Sequence, residues 1–588
     1  MASEFGPNDN AGKILAIFAI IFITFIIFLS GITNVATSSI YAYNYTKKRI
    51  DPPLRGTIYS RDGRVLSRSF HKYDLAVNGM HIEPDKMEEF SDILAVYTGM
   101  ESKAILSEIR KLKRVVLQEG IDEGAAQDLG YLTRKLDGMG FFKTLHINGR
   151  DIRRGLELVK RAETFREYPF DNMLEPVLGY YNRGEGKGTI GLENVYENIL
   201  AENKKGIVMA ERDVAGHMIL NKNADRSRKV DGNDIVLTVN SLLQKDLEGI
   251  LDHFKADLEA HEILGVVMDS RSGELYAVAS SNRYNAEHLS SSEINHMKVN
   301  AVQYLFEPGS VIKPFVVSKL IEEKLVGVYD LVRGYNGRYK LGRKVITDSH
   351  PKEWFSVEEA VYHSSNIAMA QLSQKLSPYR FNEMMEQFGF SERSGVDLSY
   401  ESVGRMLGIS QLKDPLVRAT ASYGYGFNVN LMQLMKAFNV FNNDGKMIEP
   451  KLVRKVAIGR NKVLDISRNE RQAISQVTAL KMQKILRKTV NKGTGVNAQV
   501  EGVYTAGKTG TAHIAKEGKY EDLYHSSFLG FANEIGGDRR YTIGILVINP
   551  KTDYFASKTA TPIFKECVEK MIERGWITRE GGEKTAGL

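Results

Sequence analysis

The chain has 588 residues, more than a single hydrophobic core organises, and its 43% hydrophobic and 26% charged residues are those of an ordinary globular protein of two or three domains. A net charge of +7 is modest, and no Lys/Arg block with interleaved aromatics and no Cys/His zinc spacing occurs, which argues against a nucleic-acid partner and a structural zinc site. Cys567 is the only cysteine, so an intrachain disulfide is excluded.

Ile14 to Leu29 is apolar apart from Thr24, and no charge occurs between Ile14 and Thr46. A membrane-spanning helix needs about 20 residues, and 14–35 supplies them. The run is long for the apolar core of a signal peptide, and Val35-Ala36-Thr37 resembles a cleavage site only loosely, so a retained anchor is expected. Lys13 is the sole basic residue before the segment, whereas Lys47, Lys48 and Arg49 follow it. That opposes the positive-inside rule, which weakens when a large domain follows.

Beyond the apolar segment, Arg55 to Leu66 reads as strand, turn and strand, with Asp62-Gly63 at the turn. Residues 84–140 are charged, with apolar side chains about 3.6 apart, the pattern of surface helices. Arg166-Glu-Tyr-Pro169, Gly179-Tyr180 and Gly191-Leu-Glu193 follow, with glycines suited to turns. Asp231 to Asn240 is a turn and a buried strand, 241–258 has helical spacing, and 265–280 reads as two strands around Ser272-Gly273. Ser526–Ala532 and Tyr541–Ile548 are apolar or alternating, which suits further strands.

The chemistry concentrates in three short stretches. Ser310 and Lys313 form Ser-x-x-Lys after Pro308-Gly309. A helix starting there puts both side chains on one face, and an adjacent amine can take the proton that makes a serine nucleophilic. Alone the pattern is weak: it recurs at Ser69/Lys72, Ser349/Lys352 and Ser410/Lys413, and a capping serine near a solvated lysine is its ordinary meaning. Order sharpens it. Ser364-Ser365-Asn366 follows, then Lys508-Thr509-Gly510-Thr511, which occurs once; the other Ser-Ser-Asn, Ser280–Asn282, precedes the serine and is out of order. Each could be a helix cap or a strand-end turn. Gly493-Thr-Gly495 stands ahead of the last motif, and Ser422-Tyr-Gly-Tyr-Gly426 precedes a helical run.

Ser-x-x-Lys, Ser-x-Asn and Lys-Thr-Gly in this order resemble the active-site set of penicillin-binding proteins and serine β-lactamases. Arg55-Gly-x-Ile-x-x-Arg-x-Gly63 and the landmarks at 166–193 look like those of class B penicillin-binding proteins, most like the septal cell-division member. The resemblance covers nearly all of the chain after residue 50. It implies an α+β architecture: residues 1–13 a cytoplasmic tail, 14–35 a transmembrane helix, 36–230 an elongated non-catalytic pedestal of the dimerisation type, 231–575 a transpeptidase domain with an antiparallel sheet between helices, and 576–588 a tail. The catalytic domain would lie outside the cytoplasm, on a single pass through the inner membrane.

The same resemblance implies that Ser310 is acylated by a peptide ending in D-Ala-D-Ala or by a β-lactam. Lys313 would be the general base, with its pKa lowered by burial and by the nearby cation Lys508. Ser364 would relay a proton, and Asn366 would hold the donor amide. Thr509 and Thr511 would bind the terminal carboxylate, Gly510 would let the strand lie against substrate, and the N–H groups of Ser310 and Thr511 would form an oxyanion hole. No cofactor or metal is implied. With no glycosyltransferase-like domain in view, a SEDS-type membrane glycosyltransferase and other divisome proteins are the implied partners. An elongation-type transpeptidase, a D,D-carboxypeptidase, a β-lactam sensor or chiefly a divisome scaffold stand as alternatives.

Overall fold

A computed structural model describes residues 10–37, 46–147, 150–152, 155–201, 204–211, 224–458, 462–516 and 519–581. Positions 1–9 of the expected N-terminal tail and 582–588 of the C-terminal one lie outside the described residues. The chain divides into two compact units. One comprises Met1–Pro53, His71–Thr164 and Asn203–Val230; the other comprises Leu54–Phe70, Phe165–Glu202 and Asp231–Leu588.

The first unit begins with α1 (Asn10–Thr37), within which Gly12–Val35 is 24 residues long with a mean hydropathy of 2.9 and no buried part. At 1.5 Å per residue that stretch is about 36 Å long, enough to cross a bilayer core. The hydroxyls of Thr24 and Thr33 donate to the carbonyls of Ile20 and Leu29, so neither is left bare along an apolar surface. Residues 84–140 form the helices Met87–Thr98, Ser102–Ile109 and Glu123–Gly138, with the strand Arg114–Ile121 between the second and third. The helical spacing is realised by Phe90 and Leu94, Ile105 and Ile109, and Leu129, Leu132 and Leu136, which pack in one cluster. Helical periodicity alone did not reveal the strand, because its residues are only half-buried and interleaved with charge.

The second unit is built on five antiparallel strands. In chain order its main elements are α2 (Ser241–Leu258), β1 (Glu262–Asp269), β2 (Leu275–Ser280), α3 (Lys313–Glu322), α4 (Asn366–Leu372), α5 (Leu431–Asn439), α6 (Gln476–Lys492), β3 (Val503–Lys516), β4 (Lys519–Glu534), β5 (Arg540–Ile548) and α7 (Ala560–Glu573). The strands run in the order β2-β1-β5-β4-β3, which leaves β3 at an edge. Strand alternation divides the sheet into two apolar faces. Ile263, Val267, Phe528, Ile543 and Ile545 pack with Leu243, Leu247 and Leu251 of α2 and with Phe564 and Val568 of α7. Leu264, Val266, Leu529, Phe531 and Leu546 face Phe315 of α3 and Leu434, Met435 and Phe438 of α5. The fold is therefore α+β, with the antiparallel sheet between helices that the family resemblance implies.

The early segments Leu54–Phe70 and Phe165–Glu202 are tied to each other by buried charge. Arg55 Nε and Arg166 Nε donate to the two oxygens of Glu193 at 2.7 and 2.8 Å, and a second Arg55 nitrogen reaches Glu197 at 2.7 Å. Arg166 also donates to the carbonyl of Gly56 at 2.6 Å. Side-chain exposures of Arg55, Arg166 and Glu193 are 2%, 1% and 0%. Burial pushes the Glu193 carboxyl up, but the two guanidiniums outweigh it and hold the group below the ordinary carboxylate value. Removing the shared acid strands the buried Arg166 and leaves Arg55 only Glu197. Glu193→Ala should therefore cost about 3–5 kcal/mol of unfolding free energy, read by chemical denaturation; a loss below about 1 kcal/mol would show that water reaches the pair.

Candidate active site

The segment that carries Ser310 is shaped by apolar sequence around a polar pair. Gly309 has φ +60°, the backbone then makes a 3-10 turn over Gly309–Ile312, and α3 continues from Lys313 with Pro314 in its first turn. Every residue from Lys313 to Ile321 is buried, as expected of a helix that is apolar nearly all round. Phe315 anchors it against Phe388, Phe390 and Phe441, with ring centroids 4.9–5.2 Å apart. Lys313 is thus carried into the interior by its neighbours. Ser310 stays half-exposed, and its hydroxyl has no hydrogen-bond partner among the described residues.

A strap from residues 422–429 holds the turn from the other side. The N–H of Gly309 donates to the carbonyl of Gly424 at 3.1 Å, the N–H of Gly426 donates to Glu307 Oε1 at 2.7 Å, and Phe306 pairs with Val429. Gly424 has φ +91°, and a β-carbon there would stand 2.0 Å from the Gly309 carbonyl oxygen, so no other residue fits.

The second motif reaches Lys313 through an unusual backbone. Ser364 has φ +61°, a left-handed conformation that non-glycine residues rarely adopt. Lys313 Nζ donates to the Ser364 carbonyl at 2.6 Å, to Ser364 Oγ at 3.1 Å and to Asn366 Oδ1 at 2.8 Å. Ser365 is the N-cap of α4, so the capping role open to this motif is real but falls to its middle residue.

Lys508 enters from β3. Its Nζ donates to Ser364 Oγ at 3.0 Å and to the Thr509 carbonyl at 2.9 Å. Two lysines 195 positions apart in the chain therefore meet at one hydroxyl. Both are fully buried. Burial lowers the Lys313 amine to about 7, against a smaller upward pull from Asp348. It lowers Lys508 well below the ordinary value, and the Lys313 charge lowers it further. The lowering of Lys313 by Lys508 that the resemblance implies does not appear: burial lowers Lys313, and the repulsion between the two falls on Lys508.

The remaining residues of β3 are placed as follows. Thr509 Oγ1 lies 2.7 Å from Thr494 Oγ1, and Thr511 Oγ1 accepts from the N–H of Ala556 at 3.3 Å. A β-carbon on Gly510 would lie 2.5 Å from Ser527 Oγ, 2.9 Å from Val311 Cγ1 and 3.1 Å from the Pro308 carbonyl. The glycine thus lets the edge strand abut the Ser310 turn, which suffices to require it before any ligand is considered. All eight residues singled out in the sequence sit in the second unit, brought together by α3, the turn before α4 and β3.

Three participants were not singled out. Asp348 accepts from Ser365 Oγ at 2.5 Å, from the N–H of Asn366 at 2.6 Å and from that of Ile367 at 3.2 Å, so it caps α4 and faces Lys313 electrostatically. Thr494 and Glu307 are the others. Asp348 adjoins Ser349/Lys352, another Ser-x-x-Lys match, but no spacing rule distinguishes it from a loop acid. The remaining decoys have local partners: Ser69 accepts from Arg166, Lys352 pairs with Glu359, and Ser410 lies in the short surface helix Ile409–Leu412. Among the described residues no group of three His, Cys, Asp or Glu side chains is placed to hold a metal ion. A cleft of about 1140 Å³ near Arg487, Gln499, Glu566 and Arg579 includes none of these residues.

The chain matches the penicillin binding protein transpeptidase domain family over residues 263–569 and the penicillin-binding protein dimerisation domain family over 50–237. Its relatives include penicillin-binding protein PbpB of Mycobacterium tuberculosis, 28% identical over 71% of this chain and 63% of that one. A probable peptidoglycan D,D-transpeptidase, PenA, of Neisseria meningitidis is 26% identical over 89% of this chain and 86% of the other. Stage V sporulation protein D of Bacillus subtilis is 29% identical over 68% and 62%. The chain thus spans less than two thirds of the mycobacterial and Bacillus relatives and most of the neisserial one. Among solved structures, penicillin binding protein 2X of Streptococcus thermophilus shares the fold with a TM-score of 0.72, at 22% identity over 89% of this chain and 80% of that one.

The buried amine supplies a test that does not depend on activity. A lysine held near 7 in the fold and near 10.5 when unfolded weighs against the folded state below pH 7, and this penalty fades as the unfolded chain loses the same proton towards pH 10. The Tm of Lys313→Met, relative to the unaltered protein, should therefore be most favourable near pH 7 and fall as pH rises to about 10. Thermal melting across that range checks it, and a pH-independent difference is the contrary result.

Proposed function

The chain belongs to the class B penicillin-binding proteins, with a dimerisation domain followed by a transpeptidase domain, and on that premise we propose that it is a serine D,D-transpeptidase cross-linking peptidoglycan stem peptides. The observation that carries the reading is that Lys313 and Lys508 meet at the Ser364 hydroxyl, Lys313 lying three residues on from a half-exposed Ser310 whose hydroxyl has no hydrogen-bond partner among the described residues.

Ser310 Oγ attacks the carbonyl of the penultimate D-Ala, its proton passes to Lys313, and terminal D-Ala leaves as the amine, protonated through Ser364. An acceptor amine then displaces the serine and forms the cross-link. With its amine held near 7, Lys313 is partly neutral at physiological pH and has a lone pair for the proton. The N–H groups of Ser310 and Thr511 supply the oxyanion hole, each donor worth about 10²–10³ in rate in other acyl-transfer enzymes. Thr509, Thr511 and Lys508 receive the terminal carboxylate, and Asn366 the donor amide. β-Lactams mimic D-Ala-D-Ala and acylate the same oxygen.

Residues 14–35 hold the protein in the inner membrane, with the catalytic unit outside the cytoplasm. The chain brings a transpeptidase without a recognisable polymerase, so a SEDS-type glycosyltransferase supplies the glycan, met through the anchor and pedestal alongside other divisome proteins. A septal role is favoured over elongation by the single anchor and the Phe306–Ser310 stretch.

A labelled β-lactam should attach to Ser310, identified by mass mapping of the acylated peptide, and Ser310→Ala should abolish labelling while the protein stays folded. Label at Ser69, Ser349 or Ser410 would sink the assignment. The acylation rate should rise as pH passes through about 7. Lys313→Arg should lose almost all acylation, because a guanidinium stays protonated, whereas Lys508→Arg should retain part of it; equal rates would remove Lys313 as the base. Replacing residues 14–35 by an unrelated spanning helix should weaken co-purification with the glycosyltransferase.

A further inference from the structure

Between the Ser310 turn and Ser364 the chain builds a small excursion that the chemistry above does not use. Leu331–Arg333 pairs with Trp354–Ser356, and inside that pair Arg338–Leu341 forms a hairpin with Lys344–Thr347. The hairpin has two unlike faces. Tyr339, Leu341 and Ile346 pack against Ile367 and Tyr423. Arg338 and Lys340 point the other way, opposite Thr347 and Val345, all four exposed. Arg343 and Lys344 complete the tip. Among the described residues none of these four cations forms an ion pair.

Beside the hairpin lies an aromatic shelf. The Arg333 guanidinium stands 5.0 Å from the Tyr335 ring centre and 5.8 Å from that of Trp354, and Tyr335 stacks on Tyr339 at 4.9 Å and 28°. Glu353 fixes the shelf by accepting from Arg333 Nε at 3.0 Å and from Asn336 Nδ2 at 2.7 Å. Trp354 is 51% exposed. Tyr335 and Asn336 both adopt left-handed backbone, φ +50° and +49°, a strained pair in place of the glycine such a turn favours. Retaining Tyr335 there has a purpose if its ring meets a ligand.

We propose that this hairpin, with the aromatic shelf on its Tyr339 side and the cations on its other side, docks the glycan strand carrying the donor peptide. The proposal rests on the transpeptidase reading. Amino-sugar rings present C–H faces that lie on exposed aromatic rings, as other amphipathic ligands do. The free carboxylates of uncross-linked peptides meet Arg338 and Lys340. Continuity with the reactive site favours this occupant over an anionic membrane: the hairpin strand ends at Thr347, whose carbonyl accepts from Asn366 Nδ2, and the next residue is Asp348, the cap of α4. A strand held here runs towards the residues that receive its peptide.

The test compares the full-length protein in detergent with Trp354→Ala and with the double variant Arg338→Glu/Lys340→Glu, all checked by thermal melting. Binding is measured to soluble uncross-linked peptidoglycan strands, to free D-Ala-D-Ala pentapeptide and to phosphatidylglycerol vesicles, and acylation is measured with a labelled β-lactam. Both variants should bind strands at least 10-fold more weakly, with β-lactam acylation within about 2-fold and pentapeptide binding unchanged. Unchanged strand affinity overturns the proposal. So does an equal loss for the free pentapeptide, or a loss confined to the vesicles. Failure of the unaltered protein to take the β-lactam would instead count against the transpeptidase reading, since strand binding is read separately.

Discussion

Two amines are withdrawn from water and aimed at the same oxygen, Ser364 Oγ. Burial of a cation costs several kcal/mol even after relaxation, and two together repel each other. The surrounding packing has to oppose both terms. It does so with α3, whose ring cluster around Phe315 fixes the helix that holds Lys313, and with β3, whose pairing to β4 fixes Lys508 opposite Leu529. Because these supports are apolar or backbone-paired, neither lysine relaxes towards solvent, and the cost appears as lowered affinity for protons.

The polar surroundings distribute that effect unequally. Asp348 faces Lys313 and opposes the fall in its pKa, whereas Lys508 has no comparable acid and feels the Lys313 charge in addition. Burial and the Lys313 charge thus act on Lys508 in the same direction, whereas burial and Asp348 oppose each other at Lys313. On the proposed reading, a ligand carboxylate at Thr509 and Thr511 would bring Lys508 the negative charge it lacks, as Asp348 does for Lys313.

The site also depends on close backbone approach. Gly424 against Gly309, and Gly510 against Pro308 and Val311, bring the strap, the turn and the edge strand within distances that a β-carbon forbids. In the early segments Arg55 and Arg166 converge on Glu193 and hold Leu54–Phe70 and Phe165–Glu202 to each other.

Much of this was legible in the residues themselves. Apolar length shows α1, helical spacing shows 241–258, and strand alternation with Ser272-Gly273 shows β1 and β2, because these elements are determined by local periodicity and turn chemistry. The order of three short motifs singles out eight residues that the fold gathers in one unit, since each keeps its chemistry wherever the chain carries it. Other features depend on long-range packing and leave no local trace. The strand Arg114–Ile121 is disguised by its charges. Asp348 reads as a loop acid until the fold sets it at the start of α4. The weight of Gly510 is seen only when β3 meets the Ser310 turn. Sequence alone determined which groups could react. Tertiary structure decided how far each amine is pushed towards neutrality, because that depends on the water and charge removed around it by residues distant in the chain.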